Sequence, residues 1–462
     1  MQRELRLFFS IFIIIFFLGS CVSEPDRSTT GEGSSIESPE IPPYQSISAH
    51  MAAGDPQQAL KSFEEAYSEH PEATETKLLY ASLLITIGDA DRAEEPLRTI
   101  LAENPEHTEA LYNLALVRGM QSKEEEQLEL LERLLDIDED HPQALSALGE
   151  IHLADGQYKM AEEAFRRSLD SEPDNFVART GYSHLLLKRQ DYEEAEEQLD
   201  HAIELEPNYP YSYSDRAAAR RAQGDQPGAL NDLDRAIELD PDYYWNYIDR
   251  GKIHLDAGEL DKALKDFDRA AAIRPHYFLA YVYRGGIRED QGKITAALED
   301  YRRLAELKPD YQPVYESIGV LSFQQELFED AAWGFAKHAE LYPRDYSYHL
   351  MAGVAQLFAG NSEAGRKYLQ QLLERIPREN ILHLATQIFL DRRYEDRLLT
   401  KLKEESNLNQ KARAHFYLAC YYKLHDQQRL ANIHLLEVDD ANLYSLFETE
   451  LAQAEIREKE NS

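Results

Sequence analysis

Three arginines and three aspartates form the most regular charged pattern in the chain. Each arginine is followed by an aspartate at one constant separation, and the pairs themselves recur with one fixed period: Arg216 and Asp232, Arg250 and Asp266, Arg284 and Asp300. A row of guanidinium groups could bind anions such as phosphate or carboxylate. The corresponding segments that lack the arginine also lack the aspartate, so we predict an ion pair within each repeating unit instead.

Signatures of catalysis and of metal binding do not occur in the sequence. The histidines are dispersed without H-E-x-x-H spacing, and the two cysteines, Cys21 and Cys420, lie far apart. No glycine-rich nucleotide loop and no G-x-S-x-G motif is present, and carboxylates spread over a solvated surface lack the enclosed cleft that a catalytic acid needs. We therefore predict a non-catalytic protein without a metal or cofactor. An unrecognised hydrolase is the enzymatic alternative.

The charged pairs belong to a repeat that runs through most of the chain. Nine of the 19 prolines lie on its period, with Glu139 at the one missing place: Pro71, Pro105, Pro173, Pro207, Pro241, Pro275, Pro309, Pro343 and Pro377. A fixed period of this length is typical of a solenoid built from helix pairs.

Small and bulky residues recur at fixed positions of the repeat and predict two packed helices. With the proline at position 32, positions 8 and 20 are usually small, as in Gly251 and Ala263, and position 24 is bulky, as in Phe267. Small residues let two helix backbones approach closely. A turn glycine such as Gly258 can take the positive φ that ends a helix, and no segment alternates with the period of a strand. The predicted fold class is all-α.

This pattern resembles the tetratricopeptide repeat, whose signature is W-x2-L-G-x2-Y, then A-x3-F, then P. Two stretches match it closely: Leu148-Gly149-x2-His152 with Ala161-x3-Phe165 and Pro173, and Tyr247-x2-Arg250-Gly251 with Ala263-x3-Phe267 and Pro275. Tyrosine replaces the first tryptophan of the signature in several repeats. The resemblance implies a right-handed superhelical solenoid of antiparallel helix pairs.

The repeats predict the organisation of the chain. The predicted segments are ten repeats over 44–377 with a weak one at 108–141, a degenerate repeat and one further repeat over 378–441, and a capping helix with a charged tail over 442–462. Gln127 in the first weak repeat, and Gln387 and Leu399 in the second, depart from the pattern. We expect looser packing at both. The capping helix would cover the last apolar face of the solenoid.

In tetratricopeptide repeats the first helix of each unit lines a concave groove through positions 2, 5, 9, 12 and 13. The resemblance therefore implies a channel lined by seven residues: Tyr211, Arg221, Trp245, Ile248, Lys252, Leu255 and Glu289. Aromatic residues and arginine are enriched at the centres of binding interfaces. We predict that this segment binds a protein or peptide partner. Ordinary packing between repeats is the alternative.

The first 21 residues are predicted to be a signal peptide. Arg3 and Arg6 precede a mostly apolar run over 7–18, which is too short for a membrane span of about 20 residues. The sequence Leu18-Gly19-Ser20-Cys21 resembles the bacterial lipobox, which implies acylation of Cys21. An ordinary secretory signal is the alternative.

Residues 22–43 are rich in Ser, Thr, Glu, Gly and Pro and are predicted to form a flexible tether. Val22, rather than aspartate, after the cysteine favours sorting to the outer membrane, facing the periplasm. Cys420 lies within a first helix and is predicted to be a small packed residue. The front of the chain thus predicts a lipid-anchored protein of the bacterial cell envelope.

The chain is strongly acidic, with 85 acidic and 49 basic residues and a formal net charge of −36. This charge disfavours binding to nucleic acid, whose phosphates it would repel. A basic partner protein is compatible with it, but a plain solvated surface is the favoured explanation. The predicted function is a membrane-anchored scaffold that binds a protein or peptide partner. A self-assembling structural protein is the alternative from another class.

Overall fold

The computed structural model describes residues 43–67, 72–441, 443 and 446–460. Within these ranges it contains 25 α-helices and one 3-10 helix, and all regular elements there are helical. The predicted signal peptide with Cys21, the predicted tether up to residue 42, and Pro71 lie outside the described residues. The chain divides into two compact units at Asp240 and Pro241.

The first unit contains six consecutive helix pairs. Its helices are α1 Pro43–Ala52, α2 Pro56–Tyr67, α3 Thr74–Thr86, α4 Ala90–Glu103, α5 Thr108–Met120, α6 Glu124–Ile137, α7 Pro142–Ala154, α8 Tyr158–Ser171, α9 Phe176–Arg189, α10 Tyr192–Leu205, α11 Pro210–Gln223 and α12 Gln226–Leu239. From α1 to α11, each helix packs against the helix that follows it within the unit. The odd-numbered helices are the first helices of their pairs.

The second unit continues the same arrangement and ends in a single helix. Its helices are α13 Tyr244–Asp256, α14 Leu260–Ile273, α15 Phe278–Asp290, α16 Ile294–Leu307, α17 Pro313–Gln324, α18 Phe328–Leu341, α19 Tyr346–Phe358, α20 Ser362–Leu373, α21 Ile381–Leu390, α22 Glu395–Glu404, α23 Leu408–Lys423, α24 Gln428–Asp440 and α25 Phe447–Glu460. A 3-10 segment, Arg392–Tyr394, lies between α21 and α22. The predicted all-α architecture of helix pairs is confirmed within each unit.

Small and bulky positions of the repeat meet in space, which explains why both recur. A Cβ atom built on Gly285 would lie 2.6 Å from the ring of Tyr301, and one built on Gly319 would lie 2.8 Å from Phe335. The position-24 side chain therefore fills the space above the position-8 glycine. The turn glycine Gly258 has φ +74°, a conformation that other residues adopt at a cost.

The periodic prolines are tied to the tyrosines that replace the signature tryptophan. The hydroxyl of Tyr281 donates a hydrogen bond of 3.0 Å to the carbonyl oxygen of Pro275, and Tyr315 does the same to Pro309 at 3.0 Å. Proline ends the second helix of one pair, and its carbonyl oxygen is then held by the first helix of the next pair. Tyrosine provides the hydroxyl for this bond.

The two weak repeats differ from each other in the structure. Helices α5 and α6 have ordinary lengths, and Leu131 and Leu134 on α6 are fully buried, so the expected loosening at 108–141 is not visible. Helices α21 and α22 have 10 residues each and are shorter than their neighbours. The chain also enters its first helix at Pro43, inside the predicted tether, because proline suits the first turn of a helix.

Candidate functional site

The seven predicted groove residues lie on the first helices α11, α13 and α15. Tyr211 and Arg221 belong to the first unit, and the other five belong to the second. Six of the seven are partly exposed, whereas Ile248 is 1% exposed and lies in the packed interior. Ile248 therefore offers no surface to a partner in this conformation.

The two aromatic residues of the predicted groove pack against neighbouring rings while remaining partly exposed. Tyr211 meets the ring of Tyr209 edge-on at 5.3 Å, and Trp245 meets Tyr277 at 4.9 Å. Tyr277 directly precedes α15, so Trp245 bridges two consecutive repeats of the second unit. The pKa of Tyr211 is raised, mainly by burial and to a smaller extent by the negative charge of Asp240. Packing against neighbouring rings thus buries part of each of these two side chains and leaves the rest exposed.

The charged residues of the predicted groove also have partners. Lys252 Nζ lies 3.3 Å from Asp249 Oδ1. The hydroxyl of Tyr301 donates a hydrogen bond of 2.5 Å to Glu289 Oε2. Burial raises the pKa of Glu289, and the hydrogen bond from Tyr301 opposes that shift. The structure therefore fixes the carboxylate of Glu289 in place while leaving its side chain partly exposed.

Each arginine of the regular charged pattern makes two hydrogen bonds to the aspartate of its own pair. The Nη2 atom of Arg216 lies 2.6 Å from Asp232 Oδ1, that of Arg250 lies 2.6 Å from Asp266 Oδ1, and that of Arg284 lies 2.5 Å from Asp300 Oδ1. In all three arginines the Nε atom makes a second hydrogen bond, of 3.0 Å, to the same aspartate. All three aspartates are buried. The pairs connect the two helices of each repeat.

The pairs extend into larger networks that the sequence analysis did not identify. Arg288 Nη1 donates to Asp300 Oδ2 at 2.8 Å, and Arg284 Nη1 donates to Asp268 of the preceding repeat at 2.7 Å. The Arg284 guanidinium also lies 5.2 Å from the ring centroid of Tyr281. These arginines are therefore engaged by the protein itself and do not form a free ladder for anions. The sequence did contain a signal for these networks: a second arginine recurs one helical turn after the first.

A cluster of titratable groups in the first unit was also missed. Glu150 on α7, His184 on α9 and Asp215 on α11 lie on three successive first helices, and His184 Nε2 is 2.7 Å from Asp215 Oδ2. Burial raises the pKa of Glu150 to about 7, opposed by the positive charge of His184. Burial by itself lowers the pKa of His184, but the charge and hydrogen bond of Asp215 outweigh it, so the pKa is raised.

Helix α25 makes more contacts than a terminal cap requires. It packs against α24 and α23, as the next first helix would, and it also reaches α17, which lies much earlier in the chain. The ring of Phe447 lies 4.6 Å from Tyr348 and 5.2 Å from Phe335, measured between centroids. One face of the second unit, formed by α17, α19 and α23, is thus covered by the end of the chain.

The described residues lack two other kinds of site. In those ranges, no three or more His, Cys, Asp or Glu side chains are arranged to hold a metal ion. Nor does any helix there combine the length and the apolar character that crossing a membrane requires.

Comparison with known proteins identifies the repeats. One tetratricopeptide repeat profile matches residues 50–117 and 152–218, and a second matches residues 248–312. No curated protein matches the chain. Proteins built from such repeats bind protein or peptide partners.

Several solved structures align with part of the chain. MamA is 21% identical, with 36% of this chain and 92% of that chain covered and a TM-score of 0.34. YrrB, described as a tetratricopeptide repeat protein with an unusual peptide-binding site, is 22% identical, with coverages of 40% and 95% and a TM-score of 0.35. A tetratricopeptide repeat protein from Parabacteroides merdae is 21% identical, with coverages of 52% and 96% and a TM-score of 0.38. At TM-scores this low, the alignments carry no further conclusion for this chain.

Proposed function

We propose that this chain, in which tetratricopeptide repeats are matched over residues 50–117, 152–218 and 248–312, is a non-catalytic scaffold that binds a protein or peptide partner through the first helices of its repeats. The observation that carries the proposal is the surface of α13 and α15. There Trp245, Lys252, Leu255 and Glu289 stay partly exposed, although each of the two helices packs against the second helix of its own repeat. An aromatic ring beside fixed charges is a common composition for a binding surface.

The ion-pair networks support this role by holding the surface in one geometry. The buried aspartates tie the first helix of a repeat to its second helix, so the exposed positions of the first helix have a fixed orientation. A preorganised surface binds with a smaller loss of conformational entropy. The networks therefore contribute to binding without touching the partner.

We further propose that lipid on Cys21 anchors the scaffold to a bacterial envelope membrane, with the outer membrane facing the periplasm as the location. Residues 22–42 would act as a tether that lets the repeats search near the membrane surface. Confinement by an anchor raises the effective concentration of a partner held at the same membrane. Replacing Cys21 by serine should release the protein from membranes. Continued sedimentation with membranes after a carbonate wash would contradict the anchor.

Affinity capture from an envelope extract tests the binding surface. The double variant Tyr211→Ala with Trp245→Ala should lose a partner that the unchanged chain retains. The matched control is Tyr158→Ala with Trp333→Ala, which removes the same two residue types from the second helices α8 and α18, where both are exposed. Loss of the same partner by the control, or no loss by the first variant, would contradict the assignment.

Self-assembly is the second candidate, and one observation favours it. Leu430, Ile433 and Leu436 form an exposed apolar stripe on α24, next to the end of the chain. Exposed apolar stripes of this kind can mediate association between copies. Light scattering on the chain from residue 22 onward decides the question, since a monomer at high protein concentration would exclude self-assembly.

A further inference from the structure

We propose that the face of the second unit covered by helix α25 is a docking site for an amphipathic helix of a basic partner, and that α25 is the internal helix which such a partner replaces. The inference rests on the proposed scaffold function. It adds the chemistry of the partner and a means by which the chain regulates its own binding. The two helices would compete for one surface.

Helix α25 is held as a bound amphipathic helix would be held. Phe447, Leu451 and Ala452 are buried, as are Glu448 and Thr449, so the start of the helix is enclosed on most of its circumference. The helix packs against α17, α23 and α24, which belong to two repeats that are distant from each other in the chain. Phe447 and Leu451 lie four residues apart, a spacing typical of the anchors of an amphipathic helix in a groove.

A buried charge fixes the start of the helix. Glu448 is 0% exposed, and its Oε1 atom lies 3.3 Å from Arg413 Nε on α23 and accepts a hydrogen bond from the hydroxyl of Ser347 on α19. Tyr417 donates a hydrogen bond of 2.8 Å to the carbonyl oxygen of Ser347. The second oxygen of Glu448, Oε2, has no hydrogen-bond partner among the described residues.

One turn of the helix also faces charge of its own sign. Glu450 lies in the field of Glu289 on α15 and Glu316 on α17, and Gln324 on α17 donates a hydrogen bond to it. The pKa of Glu450 is raised, mainly because neighbouring residues exclude water from it and to a smaller extent by these two negative charges. Arg457 on the same helix opposes the shift. Because Glu450 is largely exposed, solvent screens part of this repulsion.

The charge distribution specifies the occupant. A partner helix with an aromatic residue and a glutamate at the places of Phe447 and Glu448 would keep both anchors. A lysine at the place of Glu450 would convert repulsion by Glu289 and Glu316 into attraction. A second copy of this chain is a poorer occupant, because it brings the same glutamate and a formal net charge of −36.

Labelled peptides provide the first test. A peptide with the sequence of α25 and the same peptide with Glu450→Lys are titrated with the chain from residue 22 onward, and binding is followed by fluorescence anisotropy. We expect the lysine peptide to bind about fivefold more tightly at low salt, with the difference shrinking at high salt. The control peptide carries Glu455→Lys, the same charge change where Glu455 contacts Lys423 at 2.9 Å and Lys459 at 2.7 Å, and should bind more weakly.

Variants of the chain itself provide the second test. Glu450→Lys should slow hydrogen exchange in α25 and exclude the lysine peptide, whereas Glu437→Lys, on an exposed position of α24, should change neither. Phe447→Ala should loosen α25 and increase peptide binding. Unchanged or faster exchange in Glu450→Lys, or no lysine-peptide binding even to Phe447→Ala, would overturn the docking site. If the peptides fail while the Tyr211 and Trp245 variant still loses a captured partner, the scaffold function stands and only this inference falls.

Discussion

Replacing Asp300 by alanine tests whether the repeated ion pairs stabilise the fold from within. The Asp300 side chain is 3% exposed and accepts hydrogen bonds from Arg284 at 2.5 Å and from Arg288 at 2.8 Å. Without this carboxylate, two partly buried guanidinium groups lose their common acceptor. Removing one partner of a buried pair costs about 3–5 kcal/mol, and we expect about 3 kcal/mol because Asp268 still contacts Arg284.

Asp268→Ala is the matched control for this prediction. Asp268 also contacts Arg284, with a distance of 2.7 Å, but its side chain is 53% exposed. Exposed pairs contribute at most about 1 kcal/mol because water screens the charges and solvates the arginine when the partner is removed. The two variants therefore remove the same chemical group from the same arginine and differ in burial.

Urea unfolding followed by circular dichroism measures the loss in the free energy of unfolding for both variants. An array of repeats can unfold in parts, so hydrogen exchange in α15 and α16 should locate the loss. Equal losses for the two variants, or a loss below about 1 kcal/mol for Asp300→Ala, would refute the reasoning from burial.

Two further predictions concern packing and pH. Gly285→Ala should lower the free energy of unfolding by about 1–3 kcal/mol in a denaturant titration, because the added Cβ would lie 2.6 Å from Tyr301. Gly286→Ala should not lower it, because a Cβ at that position would have no neighbouring atom within 4 Å. The pKa of Glu150 is raised from 4.5 to about 7, so the folded state holds its proton more tightly and stability falls as pH rises through that interval. Glu150→Gln should remove this fall in the free energy of unfolding, which amounts to at most about 3 kcal/mol at pH 8. Glu163→Gln, at an exposed position, should leave the fall unchanged. An unchanged pH profile in Glu150→Gln would contradict the assignment.

The helix pairs and their internal ion pairs could be predicted because they are local features that the chain repeats. Gly285 and Tyr301 have the same separation in the sequence as Arg284 and Asp300, and one repeat contains both members of each contact. The period of the chain then shows each contact several times. Repetition within one sequence served as independent evidence for these contacts.

Contacts between distant repeats could not be predicted in the same way. Phe447 meets Phe335 although the two are far apart in the sequence, and no period links them. The cluster of Glu150, His184 and Asp215 had a weaker signal, since polar residues at position 9 of two successive repeats could as well have been solvated. Burial decides their chemistry, and burial depends on how successive first helices pack.

Photo-crosslinking tests the central claim, that the chain binds its partner through first helices, most directly. A photoreactive phenylalanine derivative replaces Trp245 on α13 or, in the control, Trp333 on the second helix α18, and both proteins are irradiated in an envelope extract. We predict a discrete crosslinked partner from position 245 and none from position 333. The same partner from both positions, or from position 333 alone, would contradict the account.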